Sequence, residues 1–239
     1  MEVPVAIETS KPPQAPEFKQ ISFANEILRK TIHIGSLSIP VFYYFVSRDV
    51  ALFVLVPLTL ISIGIDVGRF YIPALHEFIN RVFEKILRPH EKRGGFLSGA
   101  TYVLISALFC VFIFPKLITI TAFSILIVSD ASSALVGRAF GRHKFLDKSL
   151  EGTLAFIGSA WIVILLTPKA GPMLVEYFIA GFAAIIGGIA EGWSVTLHLD
   201  DNFSVPVSIA LVTWGLYYLL AQINPAAYSA LYQSMLHFS

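Results

Sequence analysis

The chain has 239 residues, of which 56% are hydrophobic and 14% are charged, with a formal net charge of +1. Soluble domains carry about 25% charged residues, so this composition and a mean hydropathy of +0.73 exclude a water-soluble globular protein. We expect an integral membrane protein embedded in the bilayer, and nothing in the charge indicates a nucleic-acid partner.

The N-terminal stretch, 1–20, contains four prolines and is predicted to be a flexible tail. Its first ten residues include no lysine or arginine, so we expect no cleavable signal peptide, and the first membrane helix would act as the targeting signal. A membrane domain is predicted over 21–222 and a C-terminal interfacial segment over 223–239. The single cysteine, Cys110, lies inside an apolar run and is expected to be a buried packing residue.

Seven apolar stretches are candidates for membrane-spanning helices, which need about 20 mostly apolar residues each. They are 31–46, 50–65, 98–114, 117–136, 153–167, 173–190 and 204–221. In the connection 66–97, apolar side chains recur at helical spacing with basic residues between them, which predicts an interfacial amphipathic helix. The expected fold is therefore all-α: a polytopic bundle of about seven spans plus one interfacial helix.

Lysine and arginine are distributed unevenly along the chain. Fourteen of the 17 lie in the N-terminal segment, the connection 66–97 and the connection after the fourth span. By the positive-inside rule we expect these segments, and the N-terminus, to be cytosolic. With seven spans the C-terminus would be external, and the connection 191–203, with Glu191, Asp200, Asp201 and Asn202, would also be cytosolic.

The connection after the fourth span, 129–152, carries the strongest functional signal. Asp130 ends the apolar run 121–128, where an ionised carboxylate costs roughly 2.5–3.5 kcal/mol unless it faces a metal, a basic partner or a polar cavity. The alternative to a functional acid is a simple ion pair with Arg138. Basic residues and glycines follow it: Gly137, Arg138, Gly141, Arg142, Lys144 and Lys148.

This residue pattern suits a phosphate group, because basic side chains bind phosphate and glycine allows close approach of the backbone. The alternative is a basic loop that only fixes the topology. Neither a P-loop nor a GxGxxG motif occurs. Acids from separate loops, Glu151 and the segment 200–202, would be able to share Mg²⁺ with a nucleotide, although a solvated turn is the alternative for 200–202.

Two further clusters occur near the predicted span ends. Arg29, Lys30 and His33 lie on one turn of helix at the start of the first span, where the two basic residues are either a topology anchor or part of a site. Asp66 and Arg69 are three residues apart, which predicts an ion pair on a helix surface.

The order of these motifs resembles the family of CTP-dependent lipid kinases that act on polyprenol (including dolichol), phytol or diacylglycerol, within the phosphatidate cytidylyltransferase superfamily. The matching positions are Arg29-Lys30-x-x-His33, Asp130, Gly137-Arg138-x-Phe140-Gly141, Lys144, Lys148-Ser149-x-Glu151-Gly152 and Asp201-Asn202-x-x-Val205-Pro206. The resemblance covers roughly residues 25–215, so it includes most of the predicted membrane domain.

The resemblance implies a transferase that moves the γ-phosphoryl group of CTP to a membrane lipid alcohol, with Mg²⁺, at the cytosolic face of a bacterial inner (plasma) membrane. It implies catalytic roles for Asp130, Glu151, Asp201 and Asn202, with Asp130 and Asp201 as metal ligands. The implied nucleotide-binding residues are Gly137, Arg138, Gly141, Arg142, Lys144, Lys148 and Ser149. The implied lipid-binding residues are Arg29, Lys30 and His33.

Two other functions remain as alternatives. Phosphatidate cytidylyltransferases (CDP-diacylglycerol synthases) resemble the same loop, but they usually show a Lys-Lys-Thr sequence where this chain has Lys148-Ser149, and this chain lacks their later motifs. A small transporter is the third hypothesis, but polar groups on both faces would be expected of it. The sequence leaves the oligomeric state open, a homodimer included.

Overall fold

The computed structural model describes residues 22–83, 97–196 and 198–238. Over these residues the chain is all-α with one short β-hairpin. The elements are α1 (Phe23–Gly35), α2 (Ser38–Phe45), α3 (Arg48–Tyr71), α4 (Pro73–Phe83), α5 (Gly99–Ile113), α6 (Lys116–Phe140), β1 (Lys144–Phe145), β2 (Lys148–Ser149), α7 (Leu150–Leu166), α8 (Val175–Trp193), α9 (Asp201–Ile223) and α10 (Pro225–Leu236).

Within the described residues, four helices are long and apolar enough to cross a membrane: α3, α6, α8 and α9. The predicted count of seven spans is therefore not supported. Two of the predicted spans are the shorter apolar helices α5 and α7, of 15 and 17 residues. The first, 31–46, is divided between α1 and α2 at Ser36 and Leu37. Pro40 favours this break, because proline has no N–H and suits the first turn of a helix.

α6 is the central helix of the bundle. It packs against α1, α2, α7, α9 and α10, and buries Phe123, Ile125 and Leu126 in the main core. In contrast, α3 lies at the periphery and exposes large apolar side chains such as Phe53 and Leu60. An apolar exterior around a bundle with spans of this length suggests a membrane protein.

The remaining predicted segments are described in part. α4 exposes Phe78, Val82 and Phe83, as expected of an amphipathic helix, and the rest of the predicted interfacial helix, 84–96, lies outside the described residues, as does the predicted tail, 1–20. In the C-terminal segment, α10 packs on α9 and buries Leu231 and Met235. Cys110 is fully buried, as predicted.

Several chain segments meet at one end of the bundle. The C-terminal ends of α6 and α8, the β-hairpin, and the N-terminal ends of α7 and α9 contact one another there, and α1 lies beside them. At the opposite end, the Arg48 side chain at the start of α3 donates a hydrogen bond to the Phe112 carbonyl at the end of α5. The charged residues singled out in the sequence therefore come from distant segments but occupy one end.

Candidate functional site

Asp130 is held by two residues of α1. Lys30 Nζ donates a hydrogen bond to Asp130 Oδ2 at 2.5 Å, and His33 Nε2 lies 3.4 Å from the same oxygen. Asp130 and Lys30 are 3% and 2% exposed, so this ion pair is buried. The partner of Asp130 is therefore Lys30, whereas Arg138, the partner considered from the sequence, lies 3.4 Å from Glu26.

Lys148 forms a second cluster of charges next to the first. Its ammonium contacts Glu191 on α8 and lies 3.5 Å from Asp201 Oδ2 at the start of α9. The Ser133 hydroxyl also donates to Glu191, at 3.1 Å. Although burial opposes the charged form, the carboxylates of Asp201 and Glu191 raise the pKa of Lys148. Lys148 is therefore a fixed positive charge between two acids.

The β-hairpin positions Lys148 through contacts with the end of α8. Asp147 accepts hydrogen bonds from the backbone N–H and the hydroxyl of Thr196, both at 2.8 Å, and these bonds lower the pKa of Asp147. The Asp147 N–H donates to the Gly192 carbonyl. Leu146 has a positive φ of 54° and packs against Gly192, where a Cβ would lie 3.0 Å from its Cδ1. These contacts fix the turn that precedes Lys148.

The glycines of the central connection serve close packing between α6 and α7. A Cβ on Gly137 would lie 2.9 Å from Ser149 Oγ, and one on Gly152 would lie 3.0 Å from the Ser133 carbonyl oxygen. A Cβ on Gly141 would clash with the Gly137 carbonyl at 2.2 Å. Ser149 caps α7 by accepting a hydrogen bond from the Gly152 N–H at 3.2 Å. The packing of the two helices accounts for this glycine spacing without a bound phosphate.

A cavity of about 550 Å³, named here the charged cavity, lies over the two charge clusters. Its charged lining residues are Glu26, Arg29, Lys30, Asp130, Lys148, Asp200 and Asp201. Of the predicted nucleotide-binding side chains, Lys148 lines this cavity, whereas Arg138, Arg142 and Lys144 do not and are exposed. Glu151 is also outside the lining, and its carboxylate accepts a hydrogen bond from the backbone N–H of His143, just before the β-hairpin, at 3.3 Å.

A second cavity of about 360 Å³, named here the apolar cavity, lies on the other side of α1. Its lining combines apolar residues of α1, α3, α4 and α5 with polar ones, which are Arg29, His33, Ser36, Ser62, Asp66, Arg69, Ser98 and Asn202. Burial lowers the pKa of His33, and the Asp130 carboxylate opposes this shift in part. The Asn202 amide donates to Asp200 Oδ1 at 2.8 Å. Arg29 lines both cavities, so α1 forms the wall between them.

Two predicted metal ligands, Asp130 and Asp201, both line the charged cavity. No group of three or more His, Cys, Asp or Glu among the described residues is arranged to hold a metal ion. Mg²⁺ in nucleotide sites commonly takes one or two carboxylates and completes its shell with phosphate oxygens and water. The two carboxylates therefore fit a metal that arrives with a nucleotide.

Sequence reasoning assigned no role to two buried acids of this site. Glu191 is 0% exposed and ends an apolar run, which is the same signal that pointed to Asp130. Glu26 lies one turn before Lys30 and contacts both Arg29 and Arg138. Although burial favours its neutral form, its hydrogen bond with Arg29 lowers the pKa of Glu26. Glu26 lies near the start of a helix and does not end an apolar run, so the sequence did not single it out as it did Asp130.

Two proteins are similar to this chain over nearly their whole length. An uncharacterized protein of Rickettsia prowazekii (strain Madrid E) is 33% identical over 203 residues, which cover 84% of this chain and 100% of that protein. An uncharacterized protein of Methanocaldococcus jannaschii is 30% identical over 198 residues, covering 78% of this chain and 92% of that protein. The chain belongs to the family of these two proteins.

A third protein, less similar to this chain, has a named activity. A phytol kinase of Synechocystis (strain PCC 6803) is 27% identical over 205 residues, covering 81% of each protein. No protein-family model matches the chain, and no solved structure matches it.

Proposed function

We propose that the protein is a CTP-dependent kinase that phosphorylates the hydroxyl group of a membrane lipid alcohol: a polyprenol, phytol or diacylglycerol. The observation that carries this proposal is the pair of cavities on either side of α1, one charged and one apolar, joined by the contact between Asp130 and His33. A kinase for lipids needs one site for a triphosphate and one for a hydrocarbon chain, with the reacting atoms between them. The similarity to a phytol kinase supports the same activity.

In this proposal the charged cavity binds the nucleotide. Arg29 and Lys30, for which the resemblance implies lipid binding, line this cavity and are assigned to the nucleotide here. Together with Lys148 they supply positive charge, and charge-assisted hydrogen bonds to phosphate are among the strongest that proteins make. Asp130 and Asp201 would hold Mg²⁺, or one of them would hold it while the other acts as the base. The exposed Arg138, Arg142 and Lys144 would contact parts of the nucleotide that extend beyond the cavity.

The transfer step also needs a base for the lipid hydroxyl, and one of these two aspartates would serve as that base in place of binding the metal. In the transfer step, the lipid hydroxyl oxygen forms a bond to the γ-phosphorus while the bond from that phosphorus to the bridging oxygen breaks, and CDP leaves. Asp130 or Asp201 accepts the hydroxyl proton. Mg²⁺, when bound, supplies neutralisation of the phosphate charge. Lys148 stabilises the charge that spreads over the transferring group, because its own charge is fixed in place before the reaction.

We place this site at the cytosolic face of a bacterial inner (plasma) membrane, with a cytosolic N-terminus and an external C-terminus. The asymmetry of lysine and arginine along the sequence supports the cytosolic position of the site and of the N-terminus. α9 starts at the site and is long enough to cross a membrane, so it would carry the C-terminus to the external side. A reporter that is active only in the cytosol, fused to the C-terminus, should be inactive.

The test is a labelling experiment with purified protein in lipid nanodiscs. CTP labelled at the γ-phosphate is supplied with polyprenol, phytol or diacylglycerol, and parallel reactions contain γ-labelled ATP or α-labelled CTP with phosphatidate. Transfer of γ-label from CTP to a lipid alcohol supports the proposal. A preference for ATP over CTP would show that the proposed phosphoryl donor is wrong. Transfer of α-label to phosphatidate, without γ-transfer, would make the protein a cytidylyltransferase.

A further inference from the structure

We propose that the apolar cavity binds the hydrocarbon chain of a single-chain alcohol, isoprenoid or straight, with its hydroxyl group directed at His33. This inference rests on the proposed kinase function and narrows its substrate class, because it excludes diacylglycerol, which carries two ester groups. Four observations support it: the position, size and rim of the cavity, and the state of the polar groups in its wall.

The position and size of the apolar cavity fit one lipid chain. It lies between α1, α3, α4 and the start of α5, at the end of the bundle that holds the charged cavity. Its volume of about 360 Å³ is near the lower limit of small-molecule pockets, which span about 300–1,000 Å³. A pocket of this size accommodates the first part of one chain and leaves the remainder to extend outside it.

The rim of the apolar cavity is itself apolar and exposed. Ile32 on α1, Ile65 on α3 and Phe83 on α4 line the cavity, and each exposes a large part of its surface to the outside of the bundle. An apolar rim on a membrane protein faces lipid at no cost, so the distal part of a chain can remain in the bilayer while its proximal part occupies the cavity.

The polar groups that α3 and the start of α5 contribute to the wall of the apolar cavity pair with one another or with the neighbouring Thr101. Asp66 accepts hydrogen bonds from the Ser98 N–H and the Thr101 hydroxyl, both at 2.6 Å, and its other oxygen lies 3.3 Å from Arg69 Nε. The Ser62 and Thr101 hydroxyls are 2.6 Å apart. The Asp66–Arg69 pair, predicted to lie on a helix surface, is buried.

This internal pairing favours an occupant without polar groups along its length. Ester carbonyls placed against this wall would have to displace existing hydrogen bonds or remain unpaired, and an unpaired buried polar group costs about 1–3 kcal/mol in general. A plain hydrocarbon chain has no such requirement. The wall therefore discriminates against diacylglycerol.

The polar end of the cavity adjoins the charged cavity. His33, Asn202 and Arg29 are at this end, and His33 Nε2 lies 3.4 Å from Asp130, which lines the charged cavity. A hydroxyl group beside His33 would be next to the proposed phosphoryl donor, whereas the chain would extend away from it. Holding two reactants in this way is a large part of what a kinase contributes to the reaction.

The experiment fills the apolar cavity with a side chain. Ala100, at the start of α5, lines the cavity and is exposed, so Ala100→Phe should reduce the space without disturbing the core. Ala230→Phe, on the exposed face of α10, is the matched control. We expect Ala100→Phe to raise KM for phytol and for octadecan-1-ol about tenfold, because overpacking a site weakens binding on that scale. KM for CTP should not change. The control should match the wild type.

A second measurement keeps the inference distinct from the proposed function. A long-chain alcohol with a photoreactive diazirine is crosslinked to the wild-type protein and to both variants, and the labelled peptides are identified by mass spectrometry. We expect labelling of α1, α3 and α5 that phytol competes away and that Ala100→Phe reduces. Such labelling without phosphoryl transfer to any lipid would support the cavity and contradict the kinase. Phosphorylation of dioleoylglycerol in preference to both alcohols, unaffected by Ala100→Phe, would overturn the inference and leave the kinase.

Discussion

α8 has a buried glutamate near each of its ends, and their surroundings differ. Glu176, in the first turn, accepts hydrogen bonds from two backbone N–H groups of the preceding loop, at 2.7 and 2.9 Å, and from the Tyr217 hydroxyl at 2.7 Å. All three donors are uncharged. Glu191, about 22 Å away along the helix axis, instead contacts the Lys148 ammonium.

This difference separates a structural carboxylate from a candidate functional one. Hydrogen bonds within the fold satisfy Glu176, and they attach the loop to α8 and α9. Glu191 belongs to a cluster in which the Lys148 ammonium lies between the carboxylates of Glu191 and Asp201. This cluster lies beside the charged cavity. Burial of an acid is therefore a weak indicator of function by itself, whereas paired charges beside a cavity are a stronger one.

Removal of divalent metal should give the largest contrast between the two ends of α8. It should abolish the activity proposed for the end that carries Glu191 and leave the stability provided by Glu176 unchanged. If Asp130 and Asp201 bind Mg²⁺ together with the nucleotide, EDTA should abolish phosphoryl transfer, and added Mg²⁺ should restore it. The melting temperature without nucleotide should not change, because neither glutamate of α8 needs a metal. Full activity in EDTA would remove the two aspartates from the proposed metal site.

Replacement of Lys148 should impair use of the nucleotide more than use of the lipid. A charge-assisted bond to phosphate contributes about 1.5–3 kcal/mol, so Lys148→Ala should raise KM for CTP or lower kcat by about 10- to 100-fold per folded molecule. KM for phytol should change much less. Arg138→Ala is the comparison, since Arg138 is exposed and outside the cavity lining, and its effect should be several times smaller. Equal effects of the two substitutions would contradict the arrangement proposed here.

Replacement of Glu176 should affect stability and leave the chemistry unchanged. Glu176→Gln removes one acceptor oxygen from a buried group with three donors, so we expect a loss of about 1–3 kcal/mol in unfolding free energy and a lower melting temperature. Activity per folded molecule should equal that of the wild type. A change in KM for CTP without a change in melting temperature would mean that the two ends of α8 are coupled.

Part of this site could be predicted from the sequence and part could not. Asp130 is identifiable because it stands at the border of an apolar run, where a charge is unusual, and Lys148 because it belongs to the basic residues and glycines that follow. The pairing of Asp130 with Lys30 could not be predicted, because it joins residues 100 positions apart through the packing of α1 on α6. Local spacing favoured Arg138 instead.

The fold was predicted to a similar extent. Hydropathy identified the apolar helices, but it did not locate the break at Ser36 and Leu37, because both sides of the break are apolar. The glycines are predicted to permit close approach of the backbone to a phosphate, whereas the group that approaches Gly137 in the structure is Ser149 of the neighbouring segment. Sequence spacing indicates that space is needed and does not indicate what fills it.

The central claim is that the charges beside the charged cavity, where α6 and α8 end, form a site for phosphoryl transfer. The most direct test measures transfer of γ-label from CTP to phytol by the wild type, Asp130→Asn and Glu176→Gln in one experiment, corrected for folded protein. We predict a loss of about 100-fold or more for Asp130→Asn, the scale of removing a group that stabilises the transition state, and wild-type transfer for Glu176→Gln. Wild-type transfer by Asp130→Asn would contradict the account.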